Sequence, residues 1–92
     1  SMGPVKNIIK LEPLKGKFES FGAKVFRCNG HSIKNLKKIL SIKNVKKPKI
    51  IIADTIKGKG VSFMENNNLW HYKNPDLKQL NQALQEINKK YA

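Results

Sequence analysis

The sequence predicts an α/β fold: part of a doubly wound parallel sheet, seen as one βαβ unit with flanking helices. Three observations predict it. Residues 50–53 (Ile-Ile-Ile-Ala) form a β-branched run too short for an independent helix and suited to a buried parallel strand. A second short apolar run lies at residues 23–28. Between the two, and again after the second, apolar residues recur with helical spacing.

The elements follow in order. Leu14, Phe18 and Phe21 fall on one face of a short helix, entered through Pro13 and closed by Gly22. Gly16 lies inside that helix and weakens it by about 1 kcal/mol relative to alanine. Residues 23–28 (Ala-Lys-Val-Phe-Arg-Cys) read as a strand, with a turn at Asn29-Gly30. Ser32 can cap a second helix, whose stripe is Ile33, Leu36, Ile39, Leu40 and Ile42. Asn44 and the lysines up to Pro48 connect it to the strand at 50–53, and a long loop follows. Asn74-Pro75 offers an N-cap and a first-turn proline for a last helix, with Leu77, Leu80, Leu84 and Ile87 on one face. Two strands joined by a helical crossover form a βαβ unit. Two parallel strands make a poor sheet by themselves, so the chain reads as a piece of a larger α/β domain. Residues 1–7 are expected to be a cloning remnant or frayed leader, and residues 8–92 the domain portion.

Composition narrows the function classes. The 92 residues are 39% hydrophobic, enough for a packed core and against wholesale disorder. No apolar run approaches the roughly 20 residues of a membrane span, and no signal-peptide pattern opens the chain. Cys28 is the single cysteine, which excludes an internal disulfide and suits a reducing cytoplasm. It reads as a buried small apolar residue rather than a nucleophile. The formal charge of +13 suggests nucleic acid, yet Arg27 is the only arginine among the 19 basic residues. Lysine lacks the planar fork that reads guanine or clamps phosphate, and these lysines are dispersed along the chain.

Open α/β sheets bind ligands beyond the carboxyl ends of their strands. Two segments occupy that position: residues 29–32 (Asn-Gly-His-Ser) and residues 54–71. In the second, Thr-Ile-Lys-Gly-Lys-Gly places two glycines and two lysines just past the strand. Glycine allows close backbone approach and lysine supplies an ammonium for phosphate. On spacing alone the same residues read as a glycine turn with solvated lysines, since no Walker motif is present. Loops longer than about 12 residues are usually functional or disordered. Phe63, Leu69, Trp70 and Tyr72 argue against disorder here. Taken alone, His71 reads as a hydrogen-bonded structural histidine.

Residues 55–71, Thr-Ile-Lys-Gly-Lys-Gly-Val-Ser-Phe-Met-Glu-Asn-Asn-Asn-Leu-Trp-His, strongly resemble transketolases, and most closely the N-terminal subunit of the split bacterial form. Leu-Glu-Pro-Leu at 11–14 and Glu-Ser-Phe-Gly at 19–22 resemble the family's helix before the first of these strands, and Asn-Gly-His-Ser-Ile at 29–33 resembles its Asp-Gly-His-Asp-Ile turn. The resemblance runs colinearly from about Ile8 to Ile87. It implies the C-terminal part of a thiamine-diphosphate-binding domain, in an enzyme that transfers a two-carbon ketol unit between sugar phosphates. Lys57 then corresponds to a lysine lying against the cofactor, and His71 to a catalytic histidine between the cofactor's diphosphate and the sugar phosphate. Lys73 matches a basic residue that assists with substrate phosphate.

The departures are informative. Asn29 and Ser32 stand where the family has two aspartates; Ser32 still caps the helix, but any charge-based role is lost. Tyr72 stands where the common pattern has glycine, adding bulk beside the substrate. The family's Gly-Asp-Gly segment and its downstream asparagine, which hold the metal and diphosphate, are not in these residues, nor is the glutamate that activates the aminopyrimidine. The implied cofactors are therefore thiamine diphosphate with Mg2+ or Ca2+ in a complete enzyme, with none expected on the 92 residues alone, no metal ligand among them, and catalytic silence. The implied partners are the remainder of a transketolase and sugar phosphates. Unpaired sheet edges favour self-association. Two other classes stay open: a basic nucleic-acid-binding module, which sequence preference at moderate salt would reveal, and a non-catalytic interaction domain derived from the same fold.

Overall fold

The structure is a computed structural model describing residues 2–43 and 45–91. Ser1 of the expected leader, Asn44 of the lysine-rich connection and Ala92 at the end of the expected domain lie outside the described residues. The chain divides into two compact units, one of Val5–Thr55 and one that joins the residues up to Pro4 with the stretch from Ile56 onward.

The first unit holds three helices and a sheet: α1 (Val5–Ile8), α2 (Leu14–Ser20), β1 (Lys24–Asn29), α3 (Ile33–Leu40) and β2 (Lys49–Asp54). The strands pair in parallel, with Val25 opposite Ile50 and Asn29 opposite Asp54, so the β1–α3–β2 unit forms as expected. Both α2 and α3 pack on β1. Its core is therefore centred on β1, where Val25 is 3% exposed, and on Ala23 just before it, which is also buried. The isoleucines of β2 are half-buried rather than buried, because the helices pack chiefly on β1 and leave the faces of β2 less covered.

The local signals explain most element ends. Gly22 stops α2 with φ +94°: its N–H reaches the Glu19 carbonyl at 2.9 Å and the Ala23 N–H reaches that of Phe18 at 3.2 Å. That is the paired arrangement of a Schellman stop. The helix ends before Phe21, which is 90% exposed and so leaves the face expected to join Leu14 and Phe18. Ser32 caps α3 as expected, its Oγ accepting from the Asn35 N–H at 3.2 Å. At the other end of α3, the Lys49 ammonium donates to the carbonyls of Ile39 and Ile42 at 3.1 Å each and of Leu40 at 3.3 Å. A cation there satisfies carbonyls that the helix leaves open and complements its dipole. Cys28 is a free thiol, half-buried rather than buried.

The second unit is built on α4 (Leu77–Tyr91) and the chain that precedes it. The cap of α4 is Asp76 rather than Asn74. Asp76 Oδ1 accepts from the Gln79 N–H at 2.8 Å, while Gln79 Oε1 accepts from the Asp76 N–H at 3.0 Å. This reciprocal capping box outcompetes a single side-chain cap and leaves Pro75 one residue outside the helix. The helix also turns another side inward than its leucines suggest. Ala83 is 7% exposed, whereas Leu77 is 74% exposed and Leu80, Leu84 and Ile87 are all exposed. Ala83 and Glu86 share a face, and Glu86 anchors the helix to Ser62: the Ser62 N–H donates to Oε2 at 2.7 Å and its hydroxyl to Oε1 at 2.6 Å. Those two bonds hold the Glu86 carboxyl below the usual glutamate range.

Candidate functional site

The loop expected to carry the site is ordered by a succession of turns. From Lys57 to Asn66 the chain doubles back, and the Asn66 N–H closes it on the Lys57 carbonyl at 2.9 Å. Gly58 makes that closure possible: its φ is +75°, and a Cβ there would overlap the Met64 carbonyl. Only glycine adopts this backbone without strain while admitting so close a neighbour. Inside the loop Val61 is buried and the Met64 N–H donates to its carbonyl at 2.9 Å.

The loop then enters a short 3-10 helix, Asn68–His71, whose N-cap is Asn67. The Asn67 side chain accepts from the Leu69 N–H at 3.1 Å. Trp70 is half-buried against Phe63, with ring centroids 5.2 Å apart at 56°. This pair is an apolar anchor for the turn. The residue next to the anchor is His71, whose imidazole is exposed and meets the Tyr72 ring edge-on, 4.7 Å between centroids. The Lys73 ammonium lies 5.0 Å from the Trp70 ring centroid, and the Lys73 backbone N–H donates to the Leu69 carbonyl at 3.0 Å. His71 and Lys73 are thus presented together on one anchored turn. Lys57 is held at the other end of the loop with its side chain exposed; among the described residues no hydrogen bond or ring contact joins it to His71.

At the carboxyl end of β2, within the first unit, lies a group that sequence reasoning missed. The Arg27 guanidinium bridges two carboxylates. It donates through Nε and Nη2 to both oxygens of Asp54, each at 2.9 Å, and through Nη1 and Nη2 to Glu12 at 3.1 and 2.9 Å. Glu12 also accepts the Leu14 N–H at 2.8 Å. The hydrogen bonds from Arg27, then that from Leu14, bring the Glu12 carboxyl down to about 2. The same guanidinium lowers Asp54, and the two carboxylates raise Arg27 further above its usual value. The lone arginine is the residue type that can serve two carboxylates at once, and that uniqueness in the sequence was the available signal. A cleft of about 520 Å3, with Ile9, Leu14 and Ile52 in its wall, opens beside this group. Among the described residues no three of His, Cys, Asp and Glu come together as metal ligands, and Asp54 is committed to Arg27.

Known proteins agree with the resemblance in the sequence. No family model matches the chain. It is 40% identical over 86 residues to an apulose-4-phosphate transketolase subunit from Actinobacillus succinogenes, a match covering 92% of this chain and 31% of that protein. The corresponding subunit of Phocaeicola vulgatus is 30% identical over 92 residues, covering 96% of this chain and 32% of that protein. The chain is a transketolase-like segment. It spans about a third of the length of these two curated transketolase subunits. A 1-deoxy-D-xylulose-5-phosphate synthase of Clostridium tetani is 48% identical over 52 residues, covering 54% of this chain and 8% of that enzyme. The half-covered two-stranded sheet is what a part of a transketolase-type α/β domain would present. No helix among the described residues is long and apolar enough to cross a membrane.

Proposed function

We propose that this chain forms the C-terminal part of the thiamine-diphosphate-binding domain of a transketolase, an enzyme that moves a two-carbon ketol unit between sugar phosphates in the cytoplasm. The observation that carries the reading is the colinear match of nearly the whole chain to the same subunit of two transketolases. Its working parts are Lys57, His71 and Lys73. Lys57 supplies an ammonium at the glycine-rich turn and serves the diphosphate. His71 orients oxygens of the bound sugar phosphate and holds or passes a proton at an imidazole nitrogen. Lys73 takes the substrate's phosphate as a point charge. The three side chains are exposed, as groups that meet a ligand must be.

Thiamine diphosphate, when bound, supplies the nucleophilic carbon that carries the ketol unit. Cationic and hydrogen-bonding side chains at a glycine turn fit a diphosphate in their chemistry. Among the described residues no three carboxylate, imidazole or thiol groups gather to hold a divalent cation, and Asp54 and Glu12 are both engaged by Arg27. Mg2+ or Ca2+ would take its ligands from the remainder of the enzyme, whether a longer chain or a separate polypeptide. The 92 residues by themselves are then catalytically silent and expose apolar surface that favours self-association. Calorimetric titration of the chain with thiamine diphosphate and Mg2+ is expected to show no micromolar binding; a micromolar dissociation constant would overturn this division of labour.

A further inference from the structure

Resting on that reading of the site, we infer that Tyr72 is a substrate-positioning and specificity-determining residue, whose ring stacks against the carbon skeleton of the sugar phosphate. Among the aromatic rings near His71, Phe63 and Trp70 are spent on each other and half-buried. Tyr72 is 81% exposed. It is held edge-on to the imidazole at 85° and 4.7 Å, and its N–H donates to the Leu69 carbonyl at 3.2 Å, which fixes its backbone on the anchored turn. An exposed aromatic ring in a fixed place covers the C–H face of a sugar at small entropic cost, while the neighbouring polar groups take its oxygens. Lys73, one residue on and seated over Trp70, supplies the charge for the phosphate. Imidazole, phenol ring and ammonium, consecutive on one turn, thus offer three different contacts to one small molecule: oxygen, carbon skeleton and phosphate. A ring of this bulk also narrows the space beside His71.

The test is two-dimensional NMR of the full chain titrated with D-ribose 5-phosphate and, separately, with inorganic phosphate. Tyr72 ring protons and the His71 imidazole are expected to shift together with the sugar phosphate, whereas inorganic phosphate moves His71 and Lys73 only. Tyr72→Ala is expected to weaken the sugar phosphate about fivefold, the order of one aromatic contact, and to leave inorganic phosphate unchanged; Tyr72→Phe keeps the affinity. Unchanged Trp70 and Phe63 ring signals show that the turn is intact in each variant. Equal affinity of Tyr72→Ala and the parent chain for the sugar phosphate overturns the role of Tyr72 alone. No response of His71 or Lys73 to either probe overturns the site reading and the Tyr72 role with it.

Discussion

Gly58→Ala is expected to destabilise the loop from Lys57 to Asn66 by about 3 kcal/mol, the sum of a left-handed backbone strain and an overpacked contact. The added Cβ meets the Met64 carbonyl, which is backbone, with the Glu65 nitrogen 3.0 Å away. Neither can step aside as a flexible side chain would. Relief therefore requires opening the Asn66 to Lys57 hydrogen bond, which sets the loop's return. Denaturant unfolding followed by Trp70 fluorescence reports on this unit, and amide exchange at Asn66 reports on the closure itself. Gly16→Ala provides the opposite sign: Gly16 is helical with nothing within 4 Å, so alanine there stabilises by about 1 kcal/mol. Equal stability of Gly58→Ala and the parent chain would mean that the loop does not close on Met64.

Arg27→Met is expected to lower the thermal midpoint at neutral pH and to remove the acid sensitivity of the first unit. In the parent chain Glu12 and Asp54 both titrate below their ordinary values, Glu12 at about 2 against an ordinary 4.5. A depressed folded-state value means that the unfolded chain binds the proton first. The stabilisation is therefore complete above about pH 4.5 and is lost as pH falls from there towards 2. Without Arg27 the two carboxylates face each other unneutralised, and the stability curve in that window flattens or reverses. All three groups are well exposed, so salt screens the effect, and the difference between variant and parent should shrink at high ionic strength. Arg27→Lys rescues only partly, since one ammonium cannot reproduce four bonds to two carboxylates. Thermal melts by circular dichroism between pH 2 and pH 7 measure it; identical pH profiles for parent and variant would count against the clamp.

What was legible in the sequence was local. Ser32 as a cap and Gly22 as a helix stop each depend on residues a few positions away, and both act as expected. The β-branched run and the helical spacing before it sufficed for the parallel pair. Long-range chemistry was not legible. Arg27 meets Asp54 across 27 residues and Glu12 across 15, and nothing in their spacing announces the pairing. Lys49 was one lysine among many until β2 placed it under the open carbonyls of α3. At α4 a visible signal was passed over: Asp-Leu-Lys-Gln carries the capping box, but the adjacent Asn-Pro imitates a helix start. The leucine stripe of that helix misled because periodicity marks an apolar face without saying what covers it. Here Ala83 and Glu86 turn inward and the leucines stay exposed. α1 is a single turn with no periodicity to read. As for the site, the residue types on the loop read by themselves as a solvated glycine turn, and only the resemblance singled out Lys57 and His71. The structure adds the Phe63–Trp70 anchor that holds His71 beside Tyr72.

The proposed roles of Lys57 and His71 are tested most directly by a graft. This chain would replace the matching third of the Actinobacillus succinogenes protein, and the assembled enzyme would be assayed for ketol transfer between sugar phosphates. The graft is expected to transfer ketol units, and Lys57→Ala or His71→Ala within it to lower kcat/KM by about a hundredfold, as loss of a charge-stabilising or proton-handling group does. A folded, cofactor-loaded graft that is silent, or one whose activity survives both substitutions unchanged, would contradict the assignment.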